Sequence, residues 1–227
     1  MKVLAVVVPA KDEEATLGEL LDRVARVRVP GYVLRPIVVD DGSADRTSEV
    51  ARERGAAVVR HAKNRGLGAA VRTGLGVAVE AGASVVAYLD ADLEYYPEDI
   101  PGLVEPILAG RADYALGSRF LGGARGMRLY RRLGNYAFTA LLALLTGCGI
   151  SDGQSGMRAF SREAAARAEI IHDYNYAQVL TLDLVRKGFR LEEVPIRYRV
   201  REHGESFVTW RYPAKVLPAI WRELRSP

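Results

Sequence analysis

Cysteine and histidine, the residues of disulfide cores and zinc sites, are scarce in this sequence. Among 227 residues the only cysteine is Cys148, and the only histidines are His61, His172 and His203. A lone cysteine cannot form an intramolecular disulfide, and the three scattered histidines lack the spacing of a zinc site. We therefore expect a reducing, cytoplasmic compartment and no metal centre built from cysteine or histidine.

Long apolar runs are also missing. The longest uncharged stretch, 133–151, has roughly the 20 residues that span a bilayer, but polar side chains and three glycines dilute it. The valine-rich residues 3–8 are followed closely by Asp12, Glu13 and Glu14, which is typical of a buried strand rather than of a signal peptide. The sequence predicts neither a signal peptide nor a transmembrane helix, so any contact with the inner face of a membrane would be peripheral or through a partner.

Neither sign of charge is in marked excess. The 32 Lys and Arg residues against 28 Asp and Glu give a net charge of +4. This balance is too mild to predict a nucleic-acid partner. The 49% hydrophobic content excludes a disordered chain and suits one α/β domain. Oligomeric state is left open by the composition.

Strand-like and helical patterns alternate through the first half of the chain. Apolar runs predict strands near 3–8, 34–39, 57–60, 85–89 and 114–117. Helical patterns lie between them, near 16–26, 47–54, 67–81 and 97–108. Thr16 with Glu19 indicates a capping box at the first helix. The alternation predicts an α/β fold with a mainly parallel central sheet flanked by helices.

The rhythm changes after residue 120. The later elements are predicted as helices near 129–145 and 176–187, strands near 157–160 and 191–198, and a C-terminal helix from Ala214. There is no internal repeat and no low-complexity segment. Residues 1–227 are therefore predicted to form a single domain.

Polar clusters stand where three of the predicted strands end, at 9–13, 40–43 and 90–94. Because parallel strands end at the same edge of a sheet, and ligands bind in the crevice beyond that edge, we expect the clusters to face one site. Acidic groups placed so close together would repel one another unless a cation or hydrogen-bond donors were present.

The third of these clusters predicts a metal ion. In an extended segment residues i and i+2 point the same way, so Asp90, Asp92 and Glu94 can converge on one hard cation, Mg²⁺ or Mn²⁺. Such an ion would neutralise the charge that grows on a diphosphate leaving group. The alternative is that these carboxylates cap the following helix, and Asp-x-Asp alone is a weak signal.

An ordered set of motifs makes the interpretation specific: VVPAKDEE, VVDDGSADRT, NRGLGAAVRTGL, YLDADLEYYPEDI, GSRF, RRLGN, SDGQSGMRAFSREA, EVPIRY and REHGES. In this order the chain resembles the family-2 glycosyltransferases of the Rossmann-like GT-A fold, particularly dolichyl- and polyprenyl-phosphate mannose synthases and related polyprenyl-phosphate glycosyltransferases. The resemblance implies an inverting, metal-dependent transfer of a hexose from GDP-mannose or a UDP-sugar. Residues 1–120 would bind the nucleotide sugar, and 121–227 would form the acceptor side.

The resemblance also implies a role for individual residues. Contacts to the nucleotide sugar would come from Pro9, Lys11, Glu13, Val39, Asp41, Asp90, Ala91, Arg119 and Arg201. Val39 and Asp41 would meet the base, although a carboxylate near a helix, like Asp41, can also be structural. Arg119 would bind phosphate, and Arg201 matches an arginine of a mobile loop that closes over the donor. The metal ligands would be Asp92 and Glu94 beside Asp90.

A basic stretch precedes the apolar helix of the second half. Arg128, Arg131 and Arg132 would form a socket for an anionic acceptor, because arginine pairs bidentately with phosphate. The alternative without a binding function is that these arginines form a solvated basic face. The helix that follows, 129–145, is either an apolar surface for the tail of a polyprenyl phosphate or simply the core side of an amphipathic helix.

The acceptor decides whether a general base is needed. A polyprenyl phosphate is already ionised near neutral pH, since the second pKa of a phosphate monoester is about 6. A hydroxyl acceptor of a small molecule or polysaccharide would need a base, and Asp152 is the candidate. The alternative is that Asp152 only caps or fixes the turn in which it lies. A sugar-phosphate nucleotidyltransferase is the alternative from another class, but 9–13 lacks the glycine-rich loop of such enzymes.

Overall fold

A seven-stranded sheet forms the centre of the protein, in a computed structural model that describes residues 1–123, 129–173 and 177–199. Its strands are β1 (Lys2–Ala10), β2 (Tyr32–Asp40), β3 (Ala57–Arg60), β4 (Val85–Tyr88), β5 (Tyr114–Ser118), β6 (Arg158–Ser161) and β7 (Leu191–Pro195). The strand order is β3-β2-β1-β4-β6-β5-β7. All neighbouring pairs are parallel except the two that involve β6. The predicted mainly parallel sheet is confirmed.

Helices cover both faces of this sheet. They are α1 (Glu14–Arg26), α2 (Thr47–Glu53), α3 (Leu67–Glu80), α4 (Ile100–Leu108), α5 (Leu129–Thr146), α6 (Arg162–Arg167) and α7 (Ala177–Arg186). Successive side chains of a strand point to opposite faces. In β1, accordingly, Leu4, Val6 and Val8 enter one apolar cluster while Ala5 and Val7 enter the other. Burial on both faces explains why β1 reads as a continuous apolar run.

The two antiparallel pairings of β6 matter most for the site. Arg158, the first residue of β6, pairs with Tyr88 at the end of β4 and with Leu116 near the end of β5. The reversal therefore brings the loop that precedes β6 to the edge where the parallel strands end.

Three local predictions need correction. The first helix has Glu13, not Thr16, at its N-cap, and the Thr16 hydroxyl donates to the Glu13 carboxylate at 2.8 Å. β7 ends at Pro195 rather than at residue 198, where only an isolated bridge joins Tyr198 to Tyr95. Helix α6 was not predicted, because six residues give too little periodicity. It is marked instead by its cap, Ser161, whose hydroxyl accepts from Ala164 N–H at 3.1 Å.

Some predictions lie outside the described residues. These are the C-terminal helix from Ala214, the whole of Arg128 and Arg201, and the side chain of Arg131. Among the helices that the structure does describe, none is long and apolar enough to cross a membrane.

Candidate active site

The first two polar clusters are tied together by hydrogen bonds across the ends of β1 and β2. Asp12, in a left-handed conformation with φ 54°, donates its N–H to Ser43 Oγ at 2.9 Å and accepts from Ala44 N–H at 2.7 Å. Asp40 is buried, accepts from Ser43 N–H at 2.8 Å and also accepts from the Ser48 hydroxyl. Burial opposes ionisation of Asp40, but the Ser43 and Ser48 hydrogen bonds leave its pKa below the usual value.

Asp41 anchors the loop that leads into α3. Its carboxylate accepts from the backbone N–H groups of Arg65 and Gly66, both at 2.8 Å, and lies 2.7 Å from His61 Nδ1. The other imidazole nitrogen lies 3.1 Å from Thr73 Oγ1. This is the structural role that the sequence left open for Asp41.

Val39 is wholly buried, and its side chain packs near Gly74 of α3. The side chain is therefore enclosed in the core, and the predicted contact of Val39 with the base stays a prediction. Pro9 is buried beside Val39 in the sheet register. Lys11 is partly exposed and pairs with Asp12 at 2.7 Å. The carboxylate of Glu13 accepts a hydrogen bond from the Thr16 hydroxyl, which stabilises the first turn of α1.

The acidic loop after β4 is a tight turn rather than an extended strand. Leu93 adopts φ 61°, and Glu94 N–H donates to Asp92 Oδ1 at 3.0 Å. Burial, reinforced by the nearby Asp92 and Glu94 carboxylates, raises the pKa of Asp90 to about 8. Tyr88 OH donates to Asp90 Oδ1 at 2.5 Å.

The predicted three-carboxylate metal site is not preformed. Within the described part of the chain, no three His, Cys, Asp or Glu side chains are grouped to hold a metal ion. Asp90, Asp92 and Glu94 do not project together as they would in an extended strand, because Leu93 turns the backbone. The oxygen donors still fit a hard cation, because Asp90 is held in the field of two like charges that a cation would relieve. Mg²⁺ is usually held by one or two carboxylates together with substrate phosphates. The acidic turn can supply the carboxylates.

A buried ion pair lies at the end of β5. Arg119 donates to Asp152 from Nε at 2.7 Å and from Nη2 at 2.8 Å, and its backbone N–H donates to the same carboxylate at 3.0 Å. Asn135 on α5 adds a fourth donor at 3.1 Å. Asp152 is 0% exposed and Arg119 is 8% exposed. Burial would raise the pKa of Asp152, but these bonds and the guanidinium charge hold it below its usual value.

The general-base role predicted for Asp152 is therefore not supported. A base must take a proton, and a buried carboxylate with four donors and a lowered pKa takes one poorly. Asp152 is better described as the partner that orients Arg119. Arginine has five N–H groups in a rigid fork, so contacts through Nε and Nη2 leave the Nη1 edge of the guanidinium for another anion.

Tyr95 is buried near both the Arg119 guanidinium and the acidic turn. Burial raises the pKa of its phenol, the Arg119 charge opposes that rise, and Asp90 and Glu94 reinforce it. Its hydroxyl accepts from Gly156 N–H at 2.7 Å, in the loop before β6. An added Cβ at Gly156 would lie 2.0 Å from Asp90 Oδ2, so a larger residue there would have to displace the Asp90 carboxylate. Arg119 and the acidic turn thus face the same buried phenol.

Three residues of the site were missed by the sequence reasoning: Asn135, Arg158 and Glu193. Arg158 is 0% exposed and donates to the carbonyls of Gly153, Ser155 and Ala177. It also donates to Tyr114 OH and Thr181 Oγ1. An arginine inside the apolar MRAF segment was the available signal. A buried cation is expected only where many acceptors surround it.

The comparison with known families decides the identity. The model of the family described as glycosyl transferase family 2 matches residues 5–168. This chain belongs to that family. It is therefore a family-2 glycosyltransferase, as the sequence predicted. The family membership takes the place of the alternative that the chain is a sugar-phosphate nucleotidyltransferase.

Several relatives of this glycosyltransferase are known. An uncharacterized protein of Methanocaldococcus jannaschii is 38% identical over 208 residues, covering 88% of this chain and 83% of the relative. A dolichyl-phosphate hexose transferase of Haloferax volcanii is 34% identical, with coverage of 87% and 83%. A polyprenol monophosphomannose synthase of Mycolicibacterium smegmatis is 32% identical, with coverage of 88% and 79%.

Solved structures confirm the GT-A fold. Glucosyl-3-phosphoglycerate synthase of Mycobacterium tuberculosis, in complex with Mn²⁺, UDP and glucosyl-3-phosphoglycerate, aligns with a TM-score of 0.79 and 25% identity. The match covers 100% of this chain and 81% of that chain. A second structure of that enzyme, with Mg²⁺ and UDP, aligns equally well at 24% identity.

The start of α5 in this glycosyltransferase carries the one arginine of the predicted acceptor socket whose side chain is described. Arg132 Nε donates to Tyr136 OH at 3.2 Å, and its guanidinium lies 5.9 Å from the Phe120 ring centroid. Phe120 and Tyr136 stack at 4.8 Å. Phe120 directly follows Arg119, so Arg132 lies beside the ion-pair end of the site.

Helix α5 divides its apolar residues between core and surface. Leu142 is buried, with Phe138, Leu141 and Leu145 packed beside it, as the amphipathic-helix alternative predicts. Leu144 is 79% exposed. The helix is thus partly core and partly an apolar surface.

Proposed function

We propose that this glycosyltransferase transfers a hexose, with inversion, from a nucleotide diphosphate sugar to a polyprenyl or dolichyl phosphate in a divalent-metal-dependent reaction. The observation that supports the donor half is a buried arginine, oriented by Asp152, that lies with the acidic turn near the same buried phenol, Tyr95. A diphosphate carries negative charge that the arginine binds directly, and the acidic turn requires a cation before the same diphosphate can approach.

Asp92, with Asp90 or Glu94, would hold Mg²⁺ or Mn²⁺ at the turn. The ion would supply Lewis-acid neutralisation of charge on the departing diphosphate. Arg119 would bind the same diphosphate through Nη1, while Asp152 keeps the fork in place. Arg201 would add a second arginine near the donor. The described residues reach the acidic turn at Arg199, whose N–H donates to the Glu94 carbonyl at 3.0 Å.

The names of the relatives support a lipid phosphate as acceptor. The dolichyl-phosphate hexose transferase and the polyprenol monophosphomannose synthase are similar along most of this chain. A phosphate acceptor also suits a site in which Asp152 is engaged with Arg119, because an ionised phosphate needs no base. The protein would then act at the cytoplasmic face of a membrane, held there peripherally or by a partner.

A second acceptor class follows from the solved structures. Glucosyl-3-phosphoglycerate synthase is similar along the whole chain, and its complexes hold phosphoglyceric acid or the glucosylated product. A small, water-soluble, phosphorylated acid is therefore the competing acceptor. The donor site would be the same in both cases.

The deciding experiment offers radiolabelled UDP-glucose and GDP-mannose, with Mn²⁺, to a short polyprenyl phosphate and to 3-phosphoglycerate in parallel. We expect label in the butanol-extractable product from the polyprenyl phosphate and none in the aqueous product. Aqueous product alone would assign the soluble acceptor. Release of pyrophosphate instead of nucleoside diphosphate would contradict glycosyl transfer altogether.

Arg132, with Arg128 and Arg131, is proposed to bind the acceptor phosphate. Arg132→Ala is expected to raise the KM for the acceptor by about 10-fold or more, because a hydrogen bond to a charged group contributes about 1.5–3 kcal/mol. Donor affinity, measured by calorimetry with UDP and GDP, should hardly change. Arg46→Ala is the control, since Arg46 is exposed and pairs only with Glu53 at 3.1 Å among its described ion pairs. Equal losses for donor and acceptor would move Arg132 out of the acceptor site.

A further inference from the structure

The carboxylate of Glu193, on β7, bridges two consecutive N–H groups of the loop before β6. Ser151 N–H donates to Glu193 Oε2 at 2.8 Å, and Asp152 N–H donates to Glu193 Oε1 at 3.0 Å. The side chain of the same Asp152 accepts both guanidinium bonds of Arg119. Glu193 therefore fixes the backbone of the residue whose side chain fixes the arginine.

This arrangement depends on the sheet. β7 runs parallel beside β5, with Glu193 in register with Leu116, three residues before Arg119. Ser118 Oγ lies 2.7 Å from Ser151 Oγ, so the loop is attached to β5 as well. Bonds that involve an ionised acceptor are roughly twice as strong as neutral ones. The Glu193 bridge is thus a charged attachment of the Ser151–Asp152 turn to β7.

The neighbouring Glu192 has a different role. Successive residues of a strand point to opposite faces, and Glu192 accepts from Arg111 at 3.3 and 3.2 Å, an exposed contact that does not involve Asp152. Of these two adjacent glutamates, Glu193 contacts the site and Glu192 makes a surface contact. They form a natural pair of test and control positions.

We propose that Glu193 is a positioning residue for glycosyl transfer. It holds the Ser151–Asp152 turn so that Asp152 presents the free edge of the Arg119 fork to the diphosphate of the donor. The proposal rests on the function given to Arg119 above. It adds to the reaction a residue on a strand that carries no other part of the site.

The test substitution is Glu193→Gln. Glutamine has the same length but only one acceptor oxygen, so its NH₂ group meets one of the two N–H donors and that bond is lost. We expect kcat to fall by about 10- to 100-fold, comparable with the loss seen when a partner that orients a metal ligand is removed. The KM for the nucleotide sugar should change by less than about threefold, because Arg119 contributes most as charge grows on the leaving diphosphate.

Glu192→Gln removes the same charge from the adjacent residue and should leave kcat at the wild-type value. Arg119→Lys supplies the coupling test, because it keeps the charge but lacks the fork. If Glu193 acts through Arg119, Glu193→Gln should add little to the loss already caused by Arg119→Lys. Should Glu193→Gln fail to fold, Glu193→Asp, which keeps the charge but reaches less far, enters the same cycle.

Fully additive losses would show that Glu193 only supports the fold and would overturn the proposal. So would wild-type kcat for Glu193→Gln when Arg119→Lys is impaired, and that outcome would leave the function of Arg119 intact. A wild-type rate for Arg119→Lys would instead remove the function proposed for Arg119, and with it the route by which Glu193 acts.

Discussion

Replacing Asp92 with alanine is expected to lower metal-dependent turnover by about 100-fold or more. The reason is electrostatic: a divalent ion contributes several kcal/mol of stabilisation to a leaving group, and each 1.36 kcal/mol is a factor of ten in rate. Asp92 is half-buried in the acidic turn, close to Asp90 and Glu94. Turnover should be measured against Mn²⁺ concentration, with nucleotide binding measured in the presence and absence of the ion.

The control for this prediction is Asp92→Asn. An amide oxygen can still accept the Glu94 N–H bond, which is 3.0 Å long in the wild type, but it is a weaker ligand for a hard cation. The asparagine variant should therefore keep the wild-type melting temperature and still lose most of its turnover. Full activity of the wild type in excess chelator, or of Asp92→Asn, would refute metal binding at Asp92.

Removing the carboxylate of Asp152 is expected to produce the largest loss of stability among single substitutions at the site. Asp152→Ala leaves the Arg119 guanidinium buried without its partner, which typically costs about 3–5 kcal/mol. For a chain of this size that corresponds to roughly a 10 °C fall in melting temperature. Differential scanning calorimetry measures it. Activity should fall as well, because Arg119 loses its orientation.

The pH dependence of this contribution has a definite sign. The pKa of Asp152 is lowered in the folded state by Arg119 and Asn135, which overcome the effect of burial. Its contribution to stability is therefore complete above the unfolded pKa of about 3.9 and is lost as the pH falls through the lower folded value. Between pH 5 and 8 the wild-type advantage over Asp152→Ala should stay constant. An advantage that changes across neutral pH would indicate that Asp152 titrates there, as a base would.

A double variant separates stability from catalysis. Replacing both members of a buried ion pair with apolar residues of similar volume is often neutral or stabilising. Arg119→Met combined with Asp152→Leu should thus recover much of the melting temperature while turnover stays near zero. Recovery of turnover together with stability would mean that Arg119 has only a structural role. Because Asp152 supports Arg119, its substitution cannot by itself distinguish a phosphate acceptor from a hydroxyl acceptor.

The sequence by itself determined the class of fold, the order of the motifs and the family. Each depends on features that are local or ordered along the chain. The continuous apolar run at 3–8 reflects a strand buried on both faces, and the helical pattern at 67–81 reflects a helix buried on one; β1 and α3 formed there. The strand-end clusters were correctly expected at one edge, because parallel strands must end together.

The tertiary structure decided how those residues combine. The extended geometry assumed for Asp90, Asp92 and Glu94 fails because Leu93 takes a left-handed conformation that depends on the packing of the turn. Arg119 and Asp152 are 33 residues apart, and they meet because β6 runs antiparallel between β4 and β5 and returns its preceding loop to the site. Glu193 joins them from an edge strand 41 residues further along. Charge pairing between distant segments leaves no periodic signal in a sequence, since it depends on the order of strands in the sheet and not on their order in the chain.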